Sequence, residues 1–254
     1  MSSRRQVLCR FRKIFPFPTT APMIGEPIEK IEPSQMAFVP ELTYAGCGRR
    51  SIGLVTRPSG FVLAGGQSSR MGVDKARLKI GGQPLLLRTL SFLRPYVASL
   101  AVLGAAGDYD FCHDPVIPDR LSGRGPLAAI LTGLEHSATE WNIFLACDLP
   151  LLDGRFIELL LCSIAGSDSD AIVPRTADGW QPLCAAYRRT AVPHILKALK
   201  EGDSAVFKVL PRLRVDAITG EHLELAGLPE RIFENLNSPE DWKRILSLLN
   251  ARGQ

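Results

Sequence analysis

From residue 59 onward, short apolar runs alternate with longer stretches of helical spacing, and this alternation constrains the fold more than any other feature of the chain. Residues 60–64 (GFVLA) read as a buried strand that runs straight into Gly65-Gly66. Residues 99–103 read as a second strand, Val116-Ile117 as a brief third, and 142–147 (NIFLAC) as a fully apolar fourth that ends at Asp148. Further strands are expected at 170–174, 183–187 and 231–233. Helical spacing covers 84–93, 125–136, 153–165, about 190–201 and 204–210, and 238–249. Pro84 suits a first helical turn. Asp153 suits an N-cap, and Ser238 with Asp241 three positions on suits a capped helix start. Strands alternating with helices specify an α/β fold of three layers, Rossmann-like, with a mostly parallel central sheet covered on both faces. The weak polar alternation within the strands agrees with burial on both sides. Ligands of such sheets bind beyond the C-terminal strand ends. Here those ends carry Gly65-Gly66, Asp119 and Asp148.

The 254 residues are 46% apolar and 22% charged, which excludes a wholly disordered chain and leaves enough material for a real core. Six irregularly spaced cysteines without a CxxC pair do not make a disulfide scaffold or a zinc cluster. They read as reduced thiols of a cytoplasmic protein. No uninterrupted apolar run is long enough for a membrane span, so no membrane partner is expected. The net charge of +4 belongs to the first quarter: residues 1–58 hold nine Lys/Arg against four Asp/Glu, and seven of the 19 prolines. Prolines at that density prevent a long helix or central strand, so 1–58 reads as a Pro-rich basic extension, expected to be disordered, ahead of a domain at 59–254. Ser3-Arg4-Arg5 resembles the start of a twin-arginine export signal, but Arg10, Arg12, Lys13, Pro16 and Pro18 stand where the apolar stretch should follow. The basic balance would suit contact with nucleic acid; a solvated tail is the simpler reading, and no nucleic-acid partner is expected.

The densest chemical signal is the loop after the first strand, Leu63-Ala64-Gly65-Gly66-Gln67-Ser68-Ser69-Arg70-Met71-Gly72-Val73-Asp74-Lys75. Two glycines let backbone approach a ligand closely, and successive loop N–H groups can form an anion-binding concavity. Arg70 and Lys75 add two cations, as a grip on a triphosphate requires. The spacing matches neither a Walker loop nor a GxGxxG fingerprint. Asp148, leaving an apolar strand, is hard to explain as core because an unpaired buried carboxylate is costly. Mg2+ takes one or two carboxylates plus phosphate oxygens, so Asp148 reads as a metal ligand. On spacing alone, Asp119 is either a site residue or a turn residue ahead of Ser122-Gly123. Cys147 has no histidine near it in sequence to act as a base and reads as a small buried residue. His113, His136, His194 and His222 lack metal-ligand spacing and read as surface or helix positions. Asp108-Tyr109-Asp110 reads as a solvated acidic loop.

The string LAGGQSSRMGVDK resembles the nucleotide-gripping motif of nucleotidyltransferases that activate sugars, isoprenoid precursors or pterins. Pro118-Asp119 with Gly125-Pro126-Leu127-Ala128, Cys147-Asp148-Leu149-Pro150, Gln181-Pro182-Leu183, and Asn235-Leu236-Asn237-Ser238-Pro239-Glu240-Asp241 follow in order. Together they resemble the molybdenum cofactor guanylyltransferases, the MobA family, over roughly residues 59–250. The resemblance implies a nucleotidyltransferase fold and a Mg2+-dependent transfer of GMP from GTP to molybdenum-bound molybdopterin, releasing pyrophosphate. It implies catalytic roles for Arg70, Lys75 and Asp148. GTP would be bound by Leu63, Ala64, Gly65, Gly66, Lys75, Asp119 and Asp148, and Mg2+ by Asp148. Gln181, Asn235 and Asn237 would line the acceptor side, and transient contact with molybdoenzymes or their chaperones would follow.

Two positions depart from the family pattern. The Asn that often follows the second strand is replaced by the stretch Gly104-Ala105-Ala106-Gly107, and GPLAG reads GPLAA, with Ala129 in place of the last glycine. Backbone groups or Asp119 would then select the base. A cytidylyltransferase of the same superfamily, a sugar-phosphate nucleotidyltransferase and a non-catalytic nucleotide or cofactor carrier are the alternatives. The pair Lys75 and Asp148 argues against the carrier, which needs no metal-bridged phosphate.

Overall fold

The most apolar strand lies innermost. In the computed structural model, which describes residues 57–65, 74–105, 107–119 and 124–252, β6 (Trp141–Ala146) is buried at every position. It runs parallel to β1 (Ser59–Leu63) on one side and antiparallel to β9 (Cys184–Arg188) on the other. Adding β4 (Ser99–Leu103), β5 (Val116–Ile117), β7 (Ala171–Thr176) and β10 (Val215–Thr219) gives the order β10–β7–β9–β6–β1–β4–β5. β8 (Gly179–Trp180) pairs antiparallel with β7. β2 (Lys79–Ile80) and β3 (Gln83–Pro84) form a separate hairpin. Among the described strands of the large sheet, only β8 and β9 run against the rest, so the mostly parallel sheet expected from the sequence is present.

Strand side chains alternate between two faces, and helices cover both. Helices α2 (Pro126–His136) and α4 (Val192–Lys200) bury Leu127, Ile130, Leu134, Ile195 and Ala198 in one cluster with Phe61, Phe144 and Tyr187. Helix α1 (Leu85–Leu93) lies on the opposite face: a Cβ added at Gly60 would come within 2.9 Å of Leu93. It packs there with α3 (Gly154–Ile164). Helices α5 (Gly220–Leu225) and α6 (Pro239–Arg252) complete the set. Backbone contacts gather Val55–Ala251 into one compact unit.

Several expectations needed correction. Residues 231–233 are not a strand: Glu230–Phe233 form a 3-10 turn that buries Ile232 and Phe233. The strand beyond β7 is instead β10, whose half-exposed edge position dilutes the apolar pattern that would mark it. The helix expected over 204–210 is two 3-10 turns, Val206–Lys208 and Leu210–Arg212, because Pro211 removes a backbone donor. Asp108 and Asp110 are exposed, but Tyr109 between them is only 3% exposed, so that loop is not uniformly solvated. The extension before residue 57 lies outside the described residues.

Candidate active site

Chain order places the site. After β1 the sheet grows outward through β4 and β5, and β6 then returns to the other side of β1. The crevice of such a sheet opens where the order reverses, beyond the C-terminal ends of the two strands at the switch. Those strands are β1 and β6. Their ends are level, with Leu63 opposite both Leu103 and Ala146. The Cys147 N–H donates to the Leu63 carbonyl at 3.1 Å, and the Ala64 N–H donates to the Leu103 carbonyl at 2.9 Å. Gly65 then turns the chain away with φ +119°, a conformation that glycine alone adopts without strain. Leu63, Ala64 and Gly65 therefore stand one strand away from Asp148. Gly66 and Arg70 lie outside the described residues.

The chain re-enters at Asp74, whose carboxylate caps the turn Lys75–Arg77 by accepting from the Ala76 N–H at 2.9 Å. Ala76 is fully buried, so the turn is anchored from beneath and Lys75 projects from it. The Lys75 ammonium donates to Asp148 Oδ2 at 3.0 Å and to Asn237 Oδ1 at 2.8 Å. Both members of the ion pair are about one-fifth exposed, 18% for Lys75 and 22% for Asp148, so the pair faces a partly wet crevice. Asp148 Oδ1 makes no hydrogen bond among the described residues. Asn237 is held there from two sides. The Leu236 N–H donates to the Asp148 carbonyl at 3.0 Å, and Leu236 is itself fully buried. The Asp241 carboxylate accepts from the Asn237 and Ser238 N–H groups, while the Asp241 N–H donates to Ser238 Oγ. This is the capped helix start read from the sequence, and it fixes a residue of the site. Three positions far apart in sequence thus meet at one point; the expectation for Asn237 was the acceptor side, and it sits beside Lys75 and Asp148.

Gln181 and Asn235 lie on the other side of β6, at a cavity of about 270 Å3 that Ala146 and Leu149 border from the Asp148 side. Trp180 and Phe207 also line it. Asp119 follows β5 and accepts from Thr132 Oγ1 of α2 at 3.3 Å. Among the described residues no cluster of three or more His, Cys, Asp or Glu could hold a metal by itself. His113, His136 and His194 are exposed, and His222 caps α5, with its Nδ1 accepting from the Thr219 N–H. Cys147 is buried, and its thiol is pushed up to about 12, first by loss of solvent and then by the charges of Asp148 and Asp74. It is a small buried residue, as the sequence reading has it.

Tyr109 is a site neighbour that sequence reasoning missed. A Cβ added at Gly104 would fall 2.5 Å from the Ala64 carbonyl oxygen and 2.7 Å from Tyr109 Cε2. No side chain fits at Gly104 without displacing that backbone oxygen or the tyrosine ring. The Tyr109 hydroxyl is the nearest atom to where a Gly65 Cβ would stand, at 3.7 Å. Burial, followed by the charge of Asp74, raises its pKa, so the hydroxyl remains protonated. Arg77 holds the loop by donating to the Asp108 carbonyl and lying 5.0 Å from the centroid of the Phe111 ring. A tyrosine between two exposed aspartates gives no sequence signal of this burial.

A parallel α/β sheet with glycine backbone, a lysine and a strand-end carboxylate at its switch point defines a phosphate-handling transferase site. The family model for the MobA-like NTP transferase domain matches residues 60–216, and the chain belongs to that family; it is a nucleotidyltransferase. A relative from Carboxydothermus hydrogenoformans named "Probable molybdenum cofactor guanylyltransferase" is 32% identical over 191 residues, covering 75% of this chain and 96% of that one. The molybdenum cofactor guanylyltransferase of Pseudomonas entomophila is 33% identical over 184 residues, covering 71% and 93%. Among solved structures, the molybdopterin-guanine dinucleotide biosynthesis protein A of Archaeoglobus fulgidus matches with a TM-score of 0.68 at 24% identity, covering 76% of this chain and 99% of that one, and supports the fold.

Proposed function

We propose that this chain transfers GMP from GTP to molybdenum-bearing molybdopterin, giving the guanine dinucleotide form of the cofactor and pyrophosphate. The names carried by its relatives supply donor and acceptor. The observation that carries the reading is the Lys75–Asp148–Asn237 cluster, at the end of the strand that separates the Gly65 turn from the cavity of Gln181 and Asn235. Donor and acceptor then occupy opposite sides of β6, and their phosphates meet at Asp148.

In the reaction, an oxygen of the acceptor phosphate attacks the α-phosphorus in line, and the bond to the departing pyrophosphate breaks. Direct attack needs no guanylylated group on the protein, so the protein positions the phosphates and stabilises their charge. Backbone groups of Leu63, Ala64 and Gly65 lie against the nucleotide, with Gly66 and Arg70 continuing the grip. The Lys75 ammonium donates to phosphate oxygens. The donor set fits Mg2+: a hard carboxylate with one oxygen free of hydrogen bonds among the described residues, in a crevice open enough for phosphate oxygens. Asp148 would hold the ion, and Mg2+ there would neutralise charge developing on the phosphates. Asp119 serves the nucleotide from the β5 side. A cytoplasmic setting and transient contact with molybdoenzymes or their chaperones fit a product that other proteins use.

A pyrophosphate-release assay with each nucleoside triphosphate, with and without molybdopterin, tests this. Release with GTP only when molybdopterin is present supports the reading. Release selective for CTP points to a cytidylyltransferase, and none with any triphosphate points to a carrier.

A further inference from the structure

One wall of the cavity is a small hairpin with little support of its own. β7 runs antiparallel to β9, and β9 antiparallel to β6, so β7 points the same way as β6. The turn after it, Ala177-Asp178, therefore rises on the same edge of the sheet as Asp148, and β8 brings Trp180 back to line the cavity. Two residue pairs join the strands, Arg175 with Trp180 and Thr176 with Gly179. A two-stranded hairpin is marginal in water by itself. Its internal ties are local: the Arg175 guanidinium lies 5.2 Å from the centroid of the Trp180 ring, and Thr176 Oγ1 donates to the Gly179 carbonyl at 3.2 Å. The tip is tied to a distant part of the chain by Glu230, whose Oε2 accepts from the Ala177 N–H at 3.0 Å.

The base of that tie is firm. Glu230 opens the 3-10 turn Glu230–Phe233, in which Ile232 and Phe233 are buried. The Phe233 ring stands edge-on to Phe156 of α3, with centroids 5.0 Å apart. The other carboxylate oxygen is seated over the start of α5, where a Cβ added at Gly220 would fall 2.6 Å from Glu230 Oε1. Glycine there leaves the room that the carboxylate occupies. From this turn the chain runs on into the site: Asn235 lines the cavity, the Leu236 N–H bonds to the Asp148 carbonyl, and Asn237 meets Lys75. Glu230 thus joins the hairpin wall to the segment that carries Asn235. A bond at an exposed hairpin tip governs local opening rather than global unfolding.

We infer that Glu230, seated over Gly220, is a positioning residue: it holds the hairpin that carries Trp180 in place as a wall of the cavity, and so sets acceptor binding without touching the acceptor. The inference rests on the transfer reading for the identity of the cavity as the acceptor side.

Three single variants of the full chain test it. Glu230→Ala removes the acceptor of the bond, and Glu230→Gln keeps an oxygen that can accept. Gly220→Ala fills the seat of the carboxylate while leaving Glu230 in the sequence. Gly220 has no positive φ, and alanine favours a helix over glycine, so this variant should melt no lower than the parent. The first readout is amide hydrogen exchange without substrates. Exchange over residues 175–181 should quicken about 3- to 10-fold in Glu230→Ala and Gly220→Ala, the range of one lost hydrogen bond. Glu230→Gln should stay near the parent rate. The second readout is steady-state pyrophosphate release with GTP and molybdopterin. The acceptor KM should rise about 3- to 10-fold in the same two variants, with the GTP KM unchanged and Glu230→Gln close to the parent. Unchanged hairpin exchange in Glu230→Ala, a Gly220→Ala chain that behaves as the parent, or a GTP KM that rises with the acceptor KM would each overturn the inference. The two ideas fail separately. Hairpin exchange that follows Glu230 in a protein that releases no pyrophosphate sinks the transfer reading and keeps the clasp on the cavity wall. Transfer with an acceptor KM indifferent to Glu230 does the reverse.

Discussion

In the proposed reaction Asp148 would supply charge for Mg2+ and Lys75 a grip on phosphate, and substitutions separate the two. Asp148→Asn keeps shape and removes the charge that Mg2+ would need there. The rate should fall ~10²-fold or more, the scale of one lost electrostatic stabiliser. Folding should change little, since the carboxylate is partly exposed and the Leu236 bond is to its backbone carbonyl. Near-normal turnover at limiting Mg2+ would remove Asp148 from the metal site. Lys75 faces Asp148 and Asn237, so its partner in the complex should be phosphate, which all triphosphates share. Lys75→Ala should weaken GTP and ATP about equally and slow transfer ~10²-fold. Asp119→Ala should instead change the GTP-to-ATP ratio, because a site built for hydrogen bonds to a base rejects one that leaves them unpaired. A larger change of that ratio in Lys75→Ala would reverse these roles. Lys75 and Asp148 were legible in the sequence because their charges stand at places where burial or solvation alone would not put them. Tyr109 was not, because its burial depends on Gly104 and Arg77, five residues before it and 32 before it in the chain.

Two element ends govern how well the site and the sheet edge hold together. The α6 start is capped by Ser238 and Asp241, and the same carboxylate accepts from the Asn237 N–H. Ser238→Ala should cost about 1 kcal/mol and lower Tm by about 2–4 °C for a domain of this size. Activity should fall a few-fold as Asn237 loosens, and an unchanged thermal transition would show that the cap contributes nothing. At the sheet edge, Asp170 leads into β7 and is 5% exposed. It accepts from the Arg214 guanidinium and N–H, just before β10, and from Thr190 Oγ1. The Arg214 hydrogen bonds hold its carboxyl well below the usual carboxylate range. A lowered folded-state pKa means that the stabilisation is present above the unfolded value, about 4, and is lost as pH falls through the folded one. Asp170→Asn should therefore lower Tm by about 5 °C at pH 7, with the gap to the parent chain closing below about pH 4. A gap that persists unchanged into acid would show that the carboxylate charge is not what matters. This clasp also bears on why β10 was missed: edge pairing with β7 and an ion pair, rather than an apolar run, mark that strand.

At the scale of the whole molecule, the family match spans 60–216, and the basic, proline-rich first quarter lies outside the described residues. A chain beginning at Arg57 should fold, melt within a few degrees of the full protein and keep its activity within a few-fold. An insoluble product or a larger loss would make the extension part of the working enzyme. The sequence by itself determined the α/β class, the parallel strands, the α6 cap, and the Lys75 and Asp148 positions. Each rests on local rules: apolar run length, helical spacing, capping chemistry, and the cost of a charge at the end of a buried strand. The tertiary structure alone decided the rest. Asn237 joins Lys75 because Leu236 is bonded to the end of β6, 88 residues earlier in the chain. Gly104 is glycine because Tyr109 and the Ala64 carbonyl already fill the space. Residues 231–233 pack as a turn rather than a strand because the sheet edge beside β7 belongs to β10. In each case the deciding neighbour is distant in sequence, so no local pattern of composition or spacing carries the information.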